Sequence, residues 1–267
     1  MRPPGAHERD SHTEPTEEAA RETLVYGRRV RRRRRFWRAL PGTPRCKLCT
    51  APLGGPVGTL LRLIGKGRWP GNPKYCRWCF KSLYTHRAGA EVECTLLFAD
   101  IRGSTQLAET MPARDFRTAM ERFYETAVSV LTERDAFVDK FVGDEVIGIF
   151  IPALTGNAHA RAAVDAGLEL LISTGHRTDA PWAPIGIGVN TGVAYVGAVG
   201  TEDHVEFTAL GDAVNVAARL ASVAAPGELL VTAATANAAG LESAGAERRH
   251  LALKGKTEAI SVFVLTA

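Results

Sequence analysis

No stretch of this 267-residue sequence reaches the 18 or more consecutive apolar residues that a membrane-spanning helix requires. The N-terminus is polar where a secretory signal has its apolar core, so the expected location is cytoplasmic. No repeat recurs at a fixed period, and cysteine is sparse, at five residues. Four of the five stand in two CxxC pairs, a metal-type spacing that suits a reducing compartment and excludes a disulfide-built miniprotein. What remains is ordinary for a globular chain: 45% hydrophobic and 23% charged residues, enough to bury a sizeable core and to exclude wholesale disorder. The formal charge of +4 conceals a split. Residues 1–90 hold 20 Lys and Arg against 6 Asp and Glu, and residues 91–267 hold 13 against 23. A basic appendage fused to an acidic globular domain is expected.

The appendage divides in two. Residues 1–43 are poor in apolar side chains and carry the run Arg31 to Arg35, which predicts a disordered, solvated tail with at most a short helix. With Phe36 and Trp37, that arm could meet an anionic partner, a membrane surface or nucleic acid, or serve solubility alone. Residues 44–88 are rich in Gly and Pro and need a metal to order them. Cys46 and Cys49 precede Cys76 and Cys79 by a spacer of 26 residues, and four thiolates satisfy one structural zinc. Iron in a rubredoxin-like site has the same ligands and is the lesser alternative. The expectation is that this metal orders residues 45–80 without touching the chemistry, so a chain beginning near Glu91 keeps its activity. Cys94, in an apolar run, reads as packing.

Residues 89–267 alternate strand and helix signals. Cys94 to Ala99 is a continuous apolar run, a buried strand that Asp100 ends. Pro112 opens a helix with Phe116, Met120, Phe123, Ala127, Val130 and Leu131 at helical spacing. The runs Phe137 to Val142 and Val146 to Ile151 flank Gly143, Asp144 and Glu145, a hairpin signal. An Ala-rich helix over 155–174, a strand or strand pair from Ile185 to Val199, and a short strand from Val205 to Leu210 follow. A helix from Asp212 to Ala224 is stopped by Pro226 and Gly227, and 228–232 and 247–265 supply the last strands.

Asp100, in F-A-D-I-R-G-S-T, and Asp144, in K-F-V-G-D-E, put carboxylates at two strand ends beside glycines that let backbone amides approach phosphates. Singly, each reads as a turn aspartate. As a pair they are what a divalent-metal triphosphate site needs. Together with E-F-T-A-L-G-D-A-V-N-V-A-A-R-L and the closing L-K-G-K-T-E, these segments resemble, in the family's order, the catalytic domain of the class III adenylate and guanylate cyclases over about residues 91–266. The resemblance implies an α+β fold, a ferredoxin-like βαββαβ sheet with helices packed on it, behind the small four-cysteine module.

It also implies roles. Asp100, Asp144 and the backbone of Ile101 would hold two Mg2+ or Mn2+ ions; Lys140 and Thr208 would read the purine. Asn215 would orient the ribose and Arg219 stabilise charge on the α-phosphate; four apart on a predicted helix, they share a face. Lys254, in preference to Lys256, would approach the terminal phosphates. Threonine at 208 departs from the aspartate of many adenylate cyclases and the cysteine of guanylate cyclases, and is similar to a Thr-type adenylate cyclase subgroup. Lys140 can donate to adenine N1 and Thr208 accept from the 6-amino group, but a hydroxyl can also donate, so GTP is rejected less strictly than by aspartate.

The expected reaction is therefore ATP to cyclic AMP and pyrophosphate. In the family, the metal aspartates and base-reading residues of one site come from different chains, so a chain with every position implies a homodimer with two composite sites. A guanylate or mixed-specificity cyclase and a nucleotide-sensing regulator tethered through the cysteine module are the competing readings. A diguanylate cyclase is suggested by G-D-E at 143–145, but Val142 and Val146 flank it in place of the usual residues.

Overall fold

The computed structural model describes residues 20–21, 27–69, 72–79, 89–178, 180–201, 205–241, 247–253, 256 and 258–267. Its first elements are helices α1 (Arg28–Arg38) and α2 (Gly55–Leu63) and the short antiparallel pair β1 (Arg68–Trp69) and β2 (Asn72–Cys76). Strand β3 (Gly89–Ile101) follows, then α3 (Ser104–Thr110), α4 (Ala113–Glu133), and the hairpin β4 (Phe137–Val142) and β5 (Glu145–Phe150). A turn of helix, α5 (Pro152–Thr155), leads to α6 (His159–Ser173) and the long strand β6 (Ile185–Gly200). The chain ends with β7 (Val205–Leu210), α7 (Asp212–Val223), β8 (Leu229–Thr232), α8 (Ala233–Ala238), β9 (Glu247–Leu251) and β10 (Ile260–Leu265).

The antiparallel order β4-β5-β3-β6 is the ferredoxin-like βαββαβ arrangement, and β8, β10 and β9 extend it. Sixteen residues long, β6 divides one edge between two partners. Its Ile187–Val189 stretch pairs parallel with β8, and its Tyr195–Gly200 stretch pairs antiparallel with β7. One sheet face is closed by α4 and α6, where Phe123, Leu131, Leu170 and Leu171 bury against Leu97 and Ala99. α7 closes part of the other face by close approach at Gly188, where a Cβ would overlap the Ala217 carbonyl oxygen and the Ala221 nitrogen. β3 begins five residues before the apolar run that predicts it, because Glu91 and Glu93 alternate outward there while Ala90 and Val92 are buried.

The N-terminal segments depart from expectation. The four cysteines, with Ala51, Leu53, Leu61 and Tyr75, share one buried cluster with Val92, Cys94, Leu96 and Phe98 of β3, so this segment is a layer of the domain's own core. Where a disordered tail is predicted over 1–43, the described part contains α1, and the arginine run is partly spent inside the molecule. Arg34 is 1% exposed and donates to the carbonyls of Lys47 (3.3 Å), Leu48 (2.7 Å) and Ala136 (3.4 Å). Burial pulls its pKa down to about 10. Arg31 donates to the Pro152 carbonyl at 2.6 Å, and Arg38 pairs with Asp135 at 2.8 Å. A guanidinium offers five donors in a rigid fork, so one buried arginine can close three carbonyls at once. No helix among the described residues is long and apolar enough to cross a membrane.

Candidate active site and cysteine cluster

Asp100 stands one residue from the end of β3, opposite Glu145 of β5. Val142 pairs with Glu145, so the β4–β5 turn is the two residues Gly143 and Asp144, and Gly143 takes φ +62°, the backbone that a two-residue turn demands and glycine supplies freely. Tyr124 donates to the Gly143 carbonyl and stacks on Phe141 at 4.4 Å, bracing that turn. Burial, and then Asp144, push Asp100 up to about 7; burial and Asp144 do the same to Glu145. Burial also presses on Asp144, but hydrogen bonds with Asp100 and Ser104 outweigh it and hold this carboxyl below its ordinary range. Arg102 pairs with Asp100, and its Nη1 reaches the Ser222 carbonyl at 2.9 Å. Three carboxylates against one guanidinium leave a deficit of positive charge, and an all-oxygen donor set of this kind suits hard divalent cations. Ile101 is buried beside them, paired with Ile185.

The second group forms where two edges of the sheet meet. Phe137 of β4 and Phe207 of β7 make an edge-on contact at 5.1 Å, which brings Lys140 and Thr208 together. Between Val138 and Phe141 the β4 register gains one residue over β5, a bulge that falls on Asp139 and Lys140. The Thr208 hydroxyl donates to Asp139 Oδ2 at 2.7 Å, and Lys140 Nζ lies 3.7 Å from that oxygen and 3.3 Å from Glu206. Thr208 and Asp139 are buried, and Lys140 is about one-third exposed, at 34%.

Asn215 and Arg219 lie one turn apart on α7, whose Ala213, Val216, Ala217 and Leu220 face the core. Neither side chain makes a hydrogen bond or ion pair among the described residues, and neither touches the Asp100–Asp144 group. Lys254 lies outside the described residues; Lys256 pairs with Asp212 at the start of α7.

A profile of the family described as "Adenylate and Guanylate cyclase catalytic domain" matches residues 87–266. The chain belongs to this family. The cyclase domain is 33% identical over 180 residues to the terminal-differentiation-specific adenylate cyclase of Dictyostelium discoideum, covering 63% of this chain and 8% of that protein. It is 29% identical over 184 residues to an adenylate cyclase of Anabaena cylindrica, covering 65% and 36%. The chain thus spans less than two-thirds of the length of these relatives. Among solved structures, the adenylyl cyclase CyaB of P. aeruginosa superimposes with a TM-score of 0.59 at 26% identity, covering 67% of this chain and 96% of that one. The guanylyl cyclase Cya2 gives 0.60 at 25%, covering 66% and 92%. The α+β fold and the class III cyclase assignment both stand on these matches.

In front of the cyclase domain, the Sγ atoms of Cys46, Cys49, Cys76 and Cys79 lie within 4.8 Å of one another. A tetrahedral ion with bonds of ~2.3 Å separates its sulfurs by about 3.8 Å, and Cys49 and Cys76 stand 3.8 Å apart. Backbone N–H groups of Cys76 and Cys79 point at the sulfurs of Cys46 (3.3 Å) and Cys76 (3.5 Å), the outer hydrogen bonds that metal-bound thiolates accept. The cluster fits a metal ion. Cys94 is buried in β3, its thiol pushed up to about 12 by burial, as packing requires.

Four residues here escaped the sequence reading: Arg102, Asp139, Glu145 and Glu206. Asp139 left a signal, since aspartate is disfavoured within a strand and is rarely buried without a partner.

Proposed function

We propose that the cyclase domain converts ATP to 3′,5′-cyclic AMP and pyrophosphate as a head-to-tail homodimer. The observation that carries this reading is the meeting of Lys140 with Thr208, a cationic donor beside a hydroxyl whose proton is already given away. Lys140 donates to adenine N1, and Thr208 accepts from the 6-amino group. Asn215 orients the ribose, Arg219 stabilises the charge that grows on the α-phosphate, and Lys254 is assigned to the terminal phosphates. Asp100, Asp144 and the Ile101 carbonyl would hold two Mg2+ or Mn2+ ions, which lower the pKa of the ribose 3′-hydroxyl and offset the triphosphate charge. The 3′-oxygen attacks the α-phosphorus, its proton leaves to solvent, and the bond to the pyrophosphate oxygen breaks.

The side chains of Asn215 and Arg219, unpartnered among the described residues, support a site completed by a second copy. So do the exposed apolar residues Val193 (59%) and Leu210 (49%), which a partner chain would cover. In the cysteine cluster we assign one structural zinc.

Purified protein supplied with ATP or GTP and manganese tests the reading: cyclic AMP should form in preference to cyclic GMP. Mixing inactive Asp144→Ala with inactive Arg219→Ala should restore activity, because one of the two sites in the heterodimer is then wild type. No recovery in a mixture shown to exchange subunits would remove the shared-site geometry. Metal analysis should return about one zinc per chain, whereas a red, iron-loaded preparation would reassign the cluster.

A further inference from the structure

Asp139 has no role in the chemistry above, yet the fold commits three groups to it. The residue is 9% exposed, and a buried carboxylate persists when it is paired and hydrogen-bonded. Its Oδ2 accepts the Thr208 hydroxyl at 2.7 Å, and Lys140 Nζ stands 3.7 Å from the same oxygen. Its carbonyl accepts from Lys47 Nζ at 2.6 Å, and Lys47 lies in the turn between Cys46 and Cys49. The bulge at Asp139 and Lys140 breaks the alternation that would send adjacent side chains to opposite faces.

A threonine hydroxyl owns one proton and two lone pairs. We infer that Asp139 is a specificity-positioning residue, which takes the single proton of Thr208 so that this hydroxyl can only accept from the nucleotide. The inference rests on the reading that Lys140 and Thr208 meet the purine, and it removes the ambiguity that a hydroxyl otherwise brings. The 6-amino group of adenine donates and satisfies Thr208. The 6-oxygen of guanine sets lone pair against lone pair, and guanine N1–H points a donor at Lys140. Asp139 thereby gives a threonine the acceptor-only character of an aspartate, with the negative charge held one hydrogen bond back from the base. Its backbone is fixed in turn by Lys47, so the cysteine cluster and the base-reading pair share a residue.

The experiment compares kcat/KM for ATP, GTP and inosine triphosphate, which carries the 6-oxygen without the 2-amino group of guanine. Asp139→Ala frees the Thr208 proton and should reduce the preference for ATP over both other nucleotides by about tenfold, the scale of one unpaired buried polar group. Thr208→Val should reduce it similarly. Because both changes remove one interaction, the double variant should lose no more than Thr208→Val alone. An unchanged preference in Asp139→Ala, or a double variant whose loss is the product of the two single losses, would overturn the inference. The exchange variant Asp139→Thr/Thr208→Asp serves if Asp139→Ala does not fold: it puts an acceptor at 208 and a hydroxyl donor at 139, and should keep the ATP preference. Loss of preference there would count equally against the role of Asp139. Lys140→Ala separates this question from the pocket itself. If that change leaves the nucleotide preference untouched, the pocket assignment fails; if it moves the preference while Asp139→Ala does not, only the role of Asp139 fails.

Discussion

The two groups assigned above by proposal to the nucleotide stand in opposite electrostatic conditions. Around the β4–β5 turn, Asp100, Asp144 and Glu145 crowd against a single guanidinium, and two of the three are pushed up to about 7. At the bulge of β4, by contrast, Thr208, Asp139, Lys140 and Glu206 satisfy one another. On the proposed reading the first group awaits cations, while the second is already assembled through its own hydrogen bond and ion pairs. Pre-assembly belongs where selection is needed, since a pocket that must be ordered by its ligand spends discrimination on ordering. Incompleteness belongs where charge is to be neutralised during the reaction.

The cysteine cluster offers the severest way to break this contrast, because it braces the pre-assembled end. Structural zinc contributes ~10 kcal/mol or more to the folding of such segments, and here the segment shares a core with β3. Chelation, Cys76→Ser, or a chain beginning near Glu91 should therefore leave Val92, Cys94, Leu96 and Phe98 uncovered and abolish cooperative thermal unfolding along with activity. A truncated protein that melts sharply and turns over ATP would show the cysteine layer to be dispensable, as the sequence alone suggests. Next in size, Asp144→Ala should lower turnover by at least ~100-fold. Near-normal cyclic AMP production by that variant would remove Asp144 from the metal site.

The smallest effect sharpens the contrast by pH. Asp100 and Glu145 have folded-state pKa values raised above their unfolded ones, so between about pH 4 and their folded values near 7 the native state binds more protons than the unfolded state. Their contribution is then full below the unfolded pKa and is lost as pH rises through 7. The melting temperature of the protein without Mg2+ or Mn2+ should fall between pH 5 and pH 8, and millimolar Mn2+ should raise it more at pH 8 than at pH 5. An equal manganese shift at both values, or the same shift in Asp144→Ala, would argue that the carboxylates do not hold the ion.

Elements with an intact local period were legible in the sequence. Strand β7 falls on its apolar run, α7 ends one residue before its predicted end, and the second strand of the β4–β5 hairpin is shifted by one residue, gaining Glu145 from the turn and losing Ile151. Local period is silent about what packs on what. The burial of Arg34 depends on Lys47, Leu48 and Ala136, the last of these 102 residues away, and nothing within α1 distinguishes it from the exposed Arg35. The cysteine spacing revealed a metal-type cluster, while the core it joins was set by β3, far along the chain. For the site, the motifs brought out Asp100, Asp144, Lys140 and Thr208; Asp139 shows in the sequence as an aspartate out of place in a strand, but its partners come to it only through a bulge and a distant strand.

Gly188 puts a limit on how this enzyme can vary. At that point α7 rests on β6 with nothing between backbone and backbone, so the helix already sits at its lowest possible height. Any side chain there raises the helix, and with it Asn215 and Arg219, the pair assigned above by proposal to the ribose and the α-phosphate. Change at this one position is therefore one-directional: it can lift α7 from the sheet but cannot seat it lower.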